Sequence, residues 1–291
     1  MLRSIATLAF AFFAAAAVAL IGRPVLRTAI VAAWNDPASL PALSIDPRIH
    51  HEAAARPCAE RIADLLPKAM AQIESAHSRP FSKSPRIGVY ASYRTYARAN
   101  GLGDAGIAGV SRAGWALLSP TLCEDEHDRL AGVLTHELSH LHFFGWRSRN
   151  AARPPPWFTE GLAVAASGGG GAEGVDDDEA RLALRADIRV ILDEAAWTDF
   201  SAIRFTREPA CVAPCDLWTY RQRLAFRQAG LFISWMRARN PEKFTLLLRR
   251  LEQGEIFDGA FDEIFGETPK RLWRFFIDDV ARVQPASHLP E

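Results

Sequence analysis

The segment VLTHELSHLHFF, residues 133–144, narrows the possible folds more than any other, because its HExxH pattern carries chemistry only when it is wound into a helix. In an α-helix residues four apart share one face, so His136 and His140 can present two imidazoles to one metal ion, with Glu137 alongside. Leu130, Leu134, Leu138 and Leu141 fall on another side of the same helix, which suits one face packed inward and one turned to a cleft. The acids of CEDEHD, residues 123–128, stand where the helix should start and favour its positive end, while Gly145 is placed to stop it. Two imidazoles are one ligand short. A catalytic Zn2+ takes three protein ligands and keeps a fourth position for water.

Glu160 is the candidate for the third. The stretch PPPWFTEGLA, residues 154–163, sets prolines where a second helix can begin and puts Glu160 early in it. Glu160 follows His140 by twenty positions, room enough for the chain to turn back on the open face of the HExxH helix. His142 points away from the pair and reads as packing or as a group supporting the ligands from behind, not as a ligand, and His50, His51, His77, His127 and His288 have no ligand spacing.

HELSH followed by WFTEGLA resembles the gluzincins, the HExxH-plus-Glu zinc metallopeptidases, and within them the bacterial peptidase MA-like proteins. The resemblance covers about Arg86–Arg282, and the segment AFDEIFG, residues 260–266, fits that group's carboxy-terminal helices. It implies an α+β, zincin-like fold: a small mixed sheet over the HExxH helix, then a mainly helical subdomain. It implies that His136, His140 and Glu160 hold Zn2+ and that Glu137 is the general base that takes a proton from water and returns one to the leaving amine. The substrate class would be peptide or protein. One position departs from the pattern. Phe226 falls where zinc aminopeptidases carry a tyrosine that donates to the oxyanion, and Tyr220, Arg223 and Arg227 are the donors nearest to it in sequence. Of these Tyr220 is the catalytic candidate, at a different register of the same helix. No GAMEN-like motif is present, so aminopeptidase specificity is not implied. The rival reading is a non-catalytic, zinc-containing pseudopeptidase that acts as a periplasmic binding protein.

The 34 basic and 34 acidic residues cancel, leaving no long-range field to draw nucleic acid. Residues 1–34 carry two apolar runs, 5–21 and 25–34, separated by Arg23 and Pro24, and read as a signal peptide or a membrane anchor. Uncleaved, that segment would tether the protein to the membrane; cleaved, it would leave it periplasmic or secreted. After an export segment, Cys58, Cys123, Cys211 and Cys215 read as two disulfides, with Cys58–Cys123 and Cys211–Cys215 as one of three pairings. The proline-rich residues 35–55 read as a linker, and 56–167 as the catalytic subdomain. Within it the sequence predicts a helix over 59–76 broken at Pro67, a strand at 86–92, and a hairpin of strands 107–111 and 115–119. Residues 168–178, GGGGAEGVDDD, read as a flexible acidic surface loop, and 179–291 as a helical subdomain beginning with a helix over 179–196. Neither GxxxxGK[ST] nor a Rossmann glycine motif is present, so a nucleotide site has no support. Oligomeric state leaves no mark on the sequence.

Overall fold

A computed structural model describes residues 24–104, 106–148, 150–193, 197, 202–212 and 214–282. The chain is a mixed α+β protein in two compact units, residues 1–64 with 86–127 and residues 65–85 with 128–291.

The first unit holds a five-stranded mixed sheet in the order β1-β2-β3-β5-β4. Its strands are β1 (Ala42–Leu43), β2 (Asp46–His51), β3 (Arg86–Val89), β4 (Gly109–Arg112) and β5 (Trp115–Leu118). β3 runs parallel to both β2 and β5, while β1–β2 and β4–β5 are antiparallel. The inner strands β3 and β5 have almost continuous apolar sequences because both their faces are covered, with Ile87, Ala116, Leu117 and Leu118 fully buried. The expected hairpin is present. Ala113 (φ 49°) and Gly114 (φ 82°) turn it left-handed, the geometry that matches strand twist in a two-residue loop.

Residues 35–55 are not a linker: they supply β1 and β2. Pro47 sits in β2 ahead of Ile49, where pairing with β3 begins, so its missing N–H interrupts no ladder bond on that side. The sequence signal was hidden because the buried residues of β2 are Asp46, Ile49 and His51, which do not alternate regularly and of which two are polar. Helix α1 (Pro24–Trp34) takes the second apolar run of the amino-terminal segment. Ala32 is fully buried, and Arg112 donates to the carbonyls of Ala32 and Ala99, which ties α1 to α3 (Tyr93–Ala99). Residues 1–23 of the expected signal or anchor lie outside the described residues. Among the described residues no helix is long and apolar enough to cross a membrane.

Helix α2 (Arg56–His77) runs unbroken through Pro67. The proline ring lies on the exposed side, while Ile62, Leu66, Ala69 and Ile73 keep the opposite stripe buried, so packing holds the helix across the lost hydrogen bond. Cys58 on α2 is disulfide-bonded to Cys123 on α4 (Thr121–Glu124), and Cys211 to Cys215. Both pairings are as expected, and two disulfides suit an extracellular or periplasmic protein.

The second unit is helical: α5 (Leu130–Gly145), α6 (Pro156–Ser167), α7 (Asp177–Arg185), α8 (Leu217–Arg239), α9 (Pro241–Glu252), α10 (Phe257–Phe265) and α11 (Pro269–Arg282). Its core is aromatic, with Trp157, Phe158, Phe232, Phe261 and Trp273 among its buried members. The helix expected over 179–196 stops at Arg185. Asp187 adopts φ 61°, and the chain then extends to bridge Val190 with Phe205, its backbone held by the side chain of Gln228, which is fully buried. Helices α6 and α8 approach closely. A Cβ on Gly161 would lie 2.8 Å from the Ala229 carbonyl oxygen, and one on Gly230 would lie 2.6 Å from Val164 Cγ1.

Candidate metal centre

Helix α5 carries the HExxH motif, and nearly every side of it is covered: Val133, Leu134, His136, Glu137, Leu138, Ser139, His142 and Phe143 are all buried. Behind the motif, His142 Nε2 lies 2.9 Å from the Arg79 carbonyl and His77 Nε2 lies 3.0 Å from Ser139 Oγ. The two rings pack with centroids 4.5 Å apart. Burial pushes both His77 and His142 below the ordinary histidine value. His142 is thus a packing residue, as its spacing implied.

On the other face His136, His140 and Glu160 converge. His140 Nε2 is 3.1 Å from His136 Nε2, and Glu160 Oε2 is 3.2 Å from His136 Nε2 and 3.3 Å from His140 Nε2. The three atoms form a nearly equilateral triangle. For bonds of about 2.05 Å the edge of a tetrahedron is about 3.3 Å, so the spacing fits a small tetrahedral cation. The site could therefore hold a metal ion. The electrostatics point the same way. Burial opposes charge on His136, but the Glu160 carboxylate outweighs it and pushes the imidazole up to about 9. Burial likewise raises Glu160, yet His140 and His136 pull it well below the usual carboxylate range. The positive charge that the Glu160 carboxylate favours on His136 is one that a divalent cation could supply in its place.

Each of the three side chains is held from the chain outward. Pro156 opens α6 with its fixed φ, and Gly161, the residue after Glu160, lies close against Ala229 of α8. His140 stacks on Phe144, one turn further along α5, at 6.4 Å. His136 lies parallel to Phe226 at 6.2 Å, and Phe226 stacks on Trp197 at 5.6 Å. The ring at the departing position therefore borders the cluster and offers it no donor. Tyr220 is engaged elsewhere: burial, together with the Glu179 carboxylate, pushes its hydroxyl up to about 12. Arg227 is taken up by the backbone at Gly169 and Ala172.

No protein-family model, curated protein or solved structure matches the chain. The function of this centre rests on its own geometry.

One part of the site was read as surface. Residues 168–175 of the expected flexible acidic loop are packed, with Gly169, Gly170, Ala172 and Val175 buried, and the Gly170 carbonyl lies 2.8 Å from His136 Nδ1. The glycine run following the Glu160 helix was the available signal. Polar composition concealed it, because the contacts are made by backbone and not by side chains.

Proposed function

We propose that this chain is an exported or membrane-tethered, zinc-dependent metallopeptidase of the gluzincin type, with the zincin-like fold that class implies. The observation that carries the reading is the 3.1–3.3 Å triangle of His136, His140 and Glu160, with the buried Glu137 next to it in the helix. Zn2+ bound there would supply Lewis acidity, polarising a carbonyl and acidifying a water. His136, His140 and Glu160 would hold the ion between α5 and α6. Glu137 would accept a proton from water and deliver one to the leaving amine. Phe226 and Trp197 wall one side and exclude solvent from it.

A second reading has a specific observation behind it. Phe226 carries no hydroxyl, and the hydroxyl of Tyr220 is under the influence of Glu179. Loss of an oxyanion donor costs on the order of a hundredfold or more in rate, which favours a non-catalytic zinc protein that binds partners. The two readings separate by zinc quantification together with hydrolysis of a diverse peptide library by the full chain. The full chain is needed because residues 42–51 belong to the sheet. One zinc per chain with cleavage that Glu137→Gln abolishes supports the peptidase. One zinc with no cleavage supports the binding protein. Zinc affinity unchanged in Glu160→Gln refutes the ligand assignment in both.

A further inference from the structure

The loop that joins α6 to α7 has a sequence suited to mobility, yet it is gripped from two helices. Gly168, Gly169, Gly171 and Gly174 have φ of 71°, 109°, 81° and 84°, all in the left-handed region where a side chain is strained. From α8, Arg227 donates to the carbonyls of Gly169 (3.3 Å) and Ala172 (3.2 Å) and reaches Asp177 at 3.3 Å, while Gln222 Nε2 lies 3.4 Å from the Gly171 carbonyl. From the start of α5, Arg129 pairs with Glu173 at 3.2 Å, and the other oxygen of Glu173 accepts the Gly171 N–H at 3.0 Å. Gly170 meets Gly132 backbone to backbone, so that a Cβ on Gly170 would overlap the Gly132 carbonyl.

These contacts hold the residues on either side of one carbonyl, that of Gly170. The Gly170 carbonyl lies 2.8 Å from His136 Nδ1, and a carbonyl only accepts, so Nδ1 bears a proton. In the neutral ring that leaves the Nε2 lone pair facing His140 and Glu160, which is the tautomer a metal requires. The ring also rests on Gly171, where a Cβ would come within 2.8 Å of Nδ1. Metal-bound histidines are commonly oriented by a partner on the second nitrogen, and loss of that partner weakens metal affinity by about 10–100-fold.

We propose that the glycine loop is the positioning element of the metal centre, with Arg227 and the Glu173–Arg129 pair acting on His136 through the Gly170 carbonyl. This rests on His136 being a metal ligand, as in the reading above, and assigns a purpose to a segment that touches no substrate. Arg227 and Glu173 hold the loop by ion pairs and by hydrogen bonds to its backbone, so removing their charges releases the loop without opening a core cavity.

The test uses the full chain and zinc alone. Zinc affinity is measured by chelator competition for Arg227→Gln, Glu173→Gln and Arg227→Lys, and solvent exchange of the His136 Nδ1 proton is followed by NMR in the zinc-loaded forms. Arg227→Gln and Glu173→Gln are expected to lose about 10–100-fold in affinity and to exchange the Nδ1 proton faster, with partial recovery in Arg227→Lys. Urea midpoints of the metal-free variants identify any that merely unfold. Affinities within about threefold of the original chain, or a slow Nδ1 proton in Arg227→Gln and Glu173→Gln, overturn the proposal while the metal reading stands. An original chain that takes up no zinc overturns both.

Discussion

Replacing Gly161 by alanine tests whether helix packing sets the metal ligand. Alanine favours a helix over glycine by about 1 kcal/mol, so on propensity alone the change should stabilise α6. The tertiary contact opposes it. The new Cβ would lie 2.8 Å from the Ala229 oxygen, 2.9 Å from its carbonyl carbon and 3.0 Å from its Cβ. Ordinary contact needs about 3.5 Å, and two of the three opposing atoms are backbone that cannot rotate away, so α6 and α8 must part by roughly 0.5 Å. Overpacking of this kind costs about 1–3 kcal/mol, which set against the propensity gain of about 1 kcal/mol predicts a net loss of up to about 2 kcal/mol. Glu160 is the adjacent residue, and a shift of about 0.5 Å is the tolerance within which such a site works, so zinc affinity should fall by about tenfold as well. The assays are urea denaturation of the metal-free chain and zinc competition. Gly259→Ala in α10 is the control, because nothing lies within 4 Å of its Cβ and propensity should win there. Gly161→Ala as stable as the original, with zinc affinity intact, would refute the argument that the α6–α8 contact positions Glu160.

The remaining expectations concern charge, disulfides and the oxyanion. In the metal-free chain the pKa of His136 is raised to about 9, so its contribution to stability is complete below an unfolded value of about 6.5 and is lost as pH rises through 9. Urea midpoints of the metal-free chain should therefore fall across that window, and a flat profile there would count against the His136–Glu160 pair. The disulfide Cys58–Cys123 closes a separation of 65 residues and Cys211–Cys215 one of 4. Loop entropy then assigns about 4 kcal/mol to the first and about 2 kcal/mol to the second, so Cys58→Ser with Cys123→Ser should lower the unfolding midpoint further than Cys211→Ser with Cys215→Ser. Equal effects would remove the entropic account. Phe226→Tyr adds a hydroxyl beside His136 at the position where the resembled aminopeptidases carry a donor. It should raise kcat by on the order of tenfold or more with zinc affinity unchanged, and a kcat that does not move would show that the ring does not face the oxyanion.

The division between what was legible and what was not follows the reach of each interaction. Periodicity of four residues is local, so His136, His140 and Glu137 could be placed on one helix from sequence, and the proline-led start of α6 marked Glu160. The inner strands and the hairpin turn were legible for the same reason, since their apolar runs and the Ala113–Gly114 turn lie within a few residues of one another. β2 was not, because its inward residues include Asp46 and His51, and only pairing with its neighbours makes it a strand. The end of α7 was set by Asp187 turning left-handed and by the Gln228 side chain holding the extended segment after it, a partner 38 residues away from Val190. The glycine loop is the sharpest case. By itself its sequence specifies only conformational freedom; Arg129, Arg227 and Gly132, all distant in sequence, decide which conformation is kept. Sequence determined which side chains could bind a metal. Only the tertiary structure brought Glu160 to the two imidazoles and the Gly170 carbonyl to His136, because backbone contacts between distant segments leave no residue-type signature along the chain.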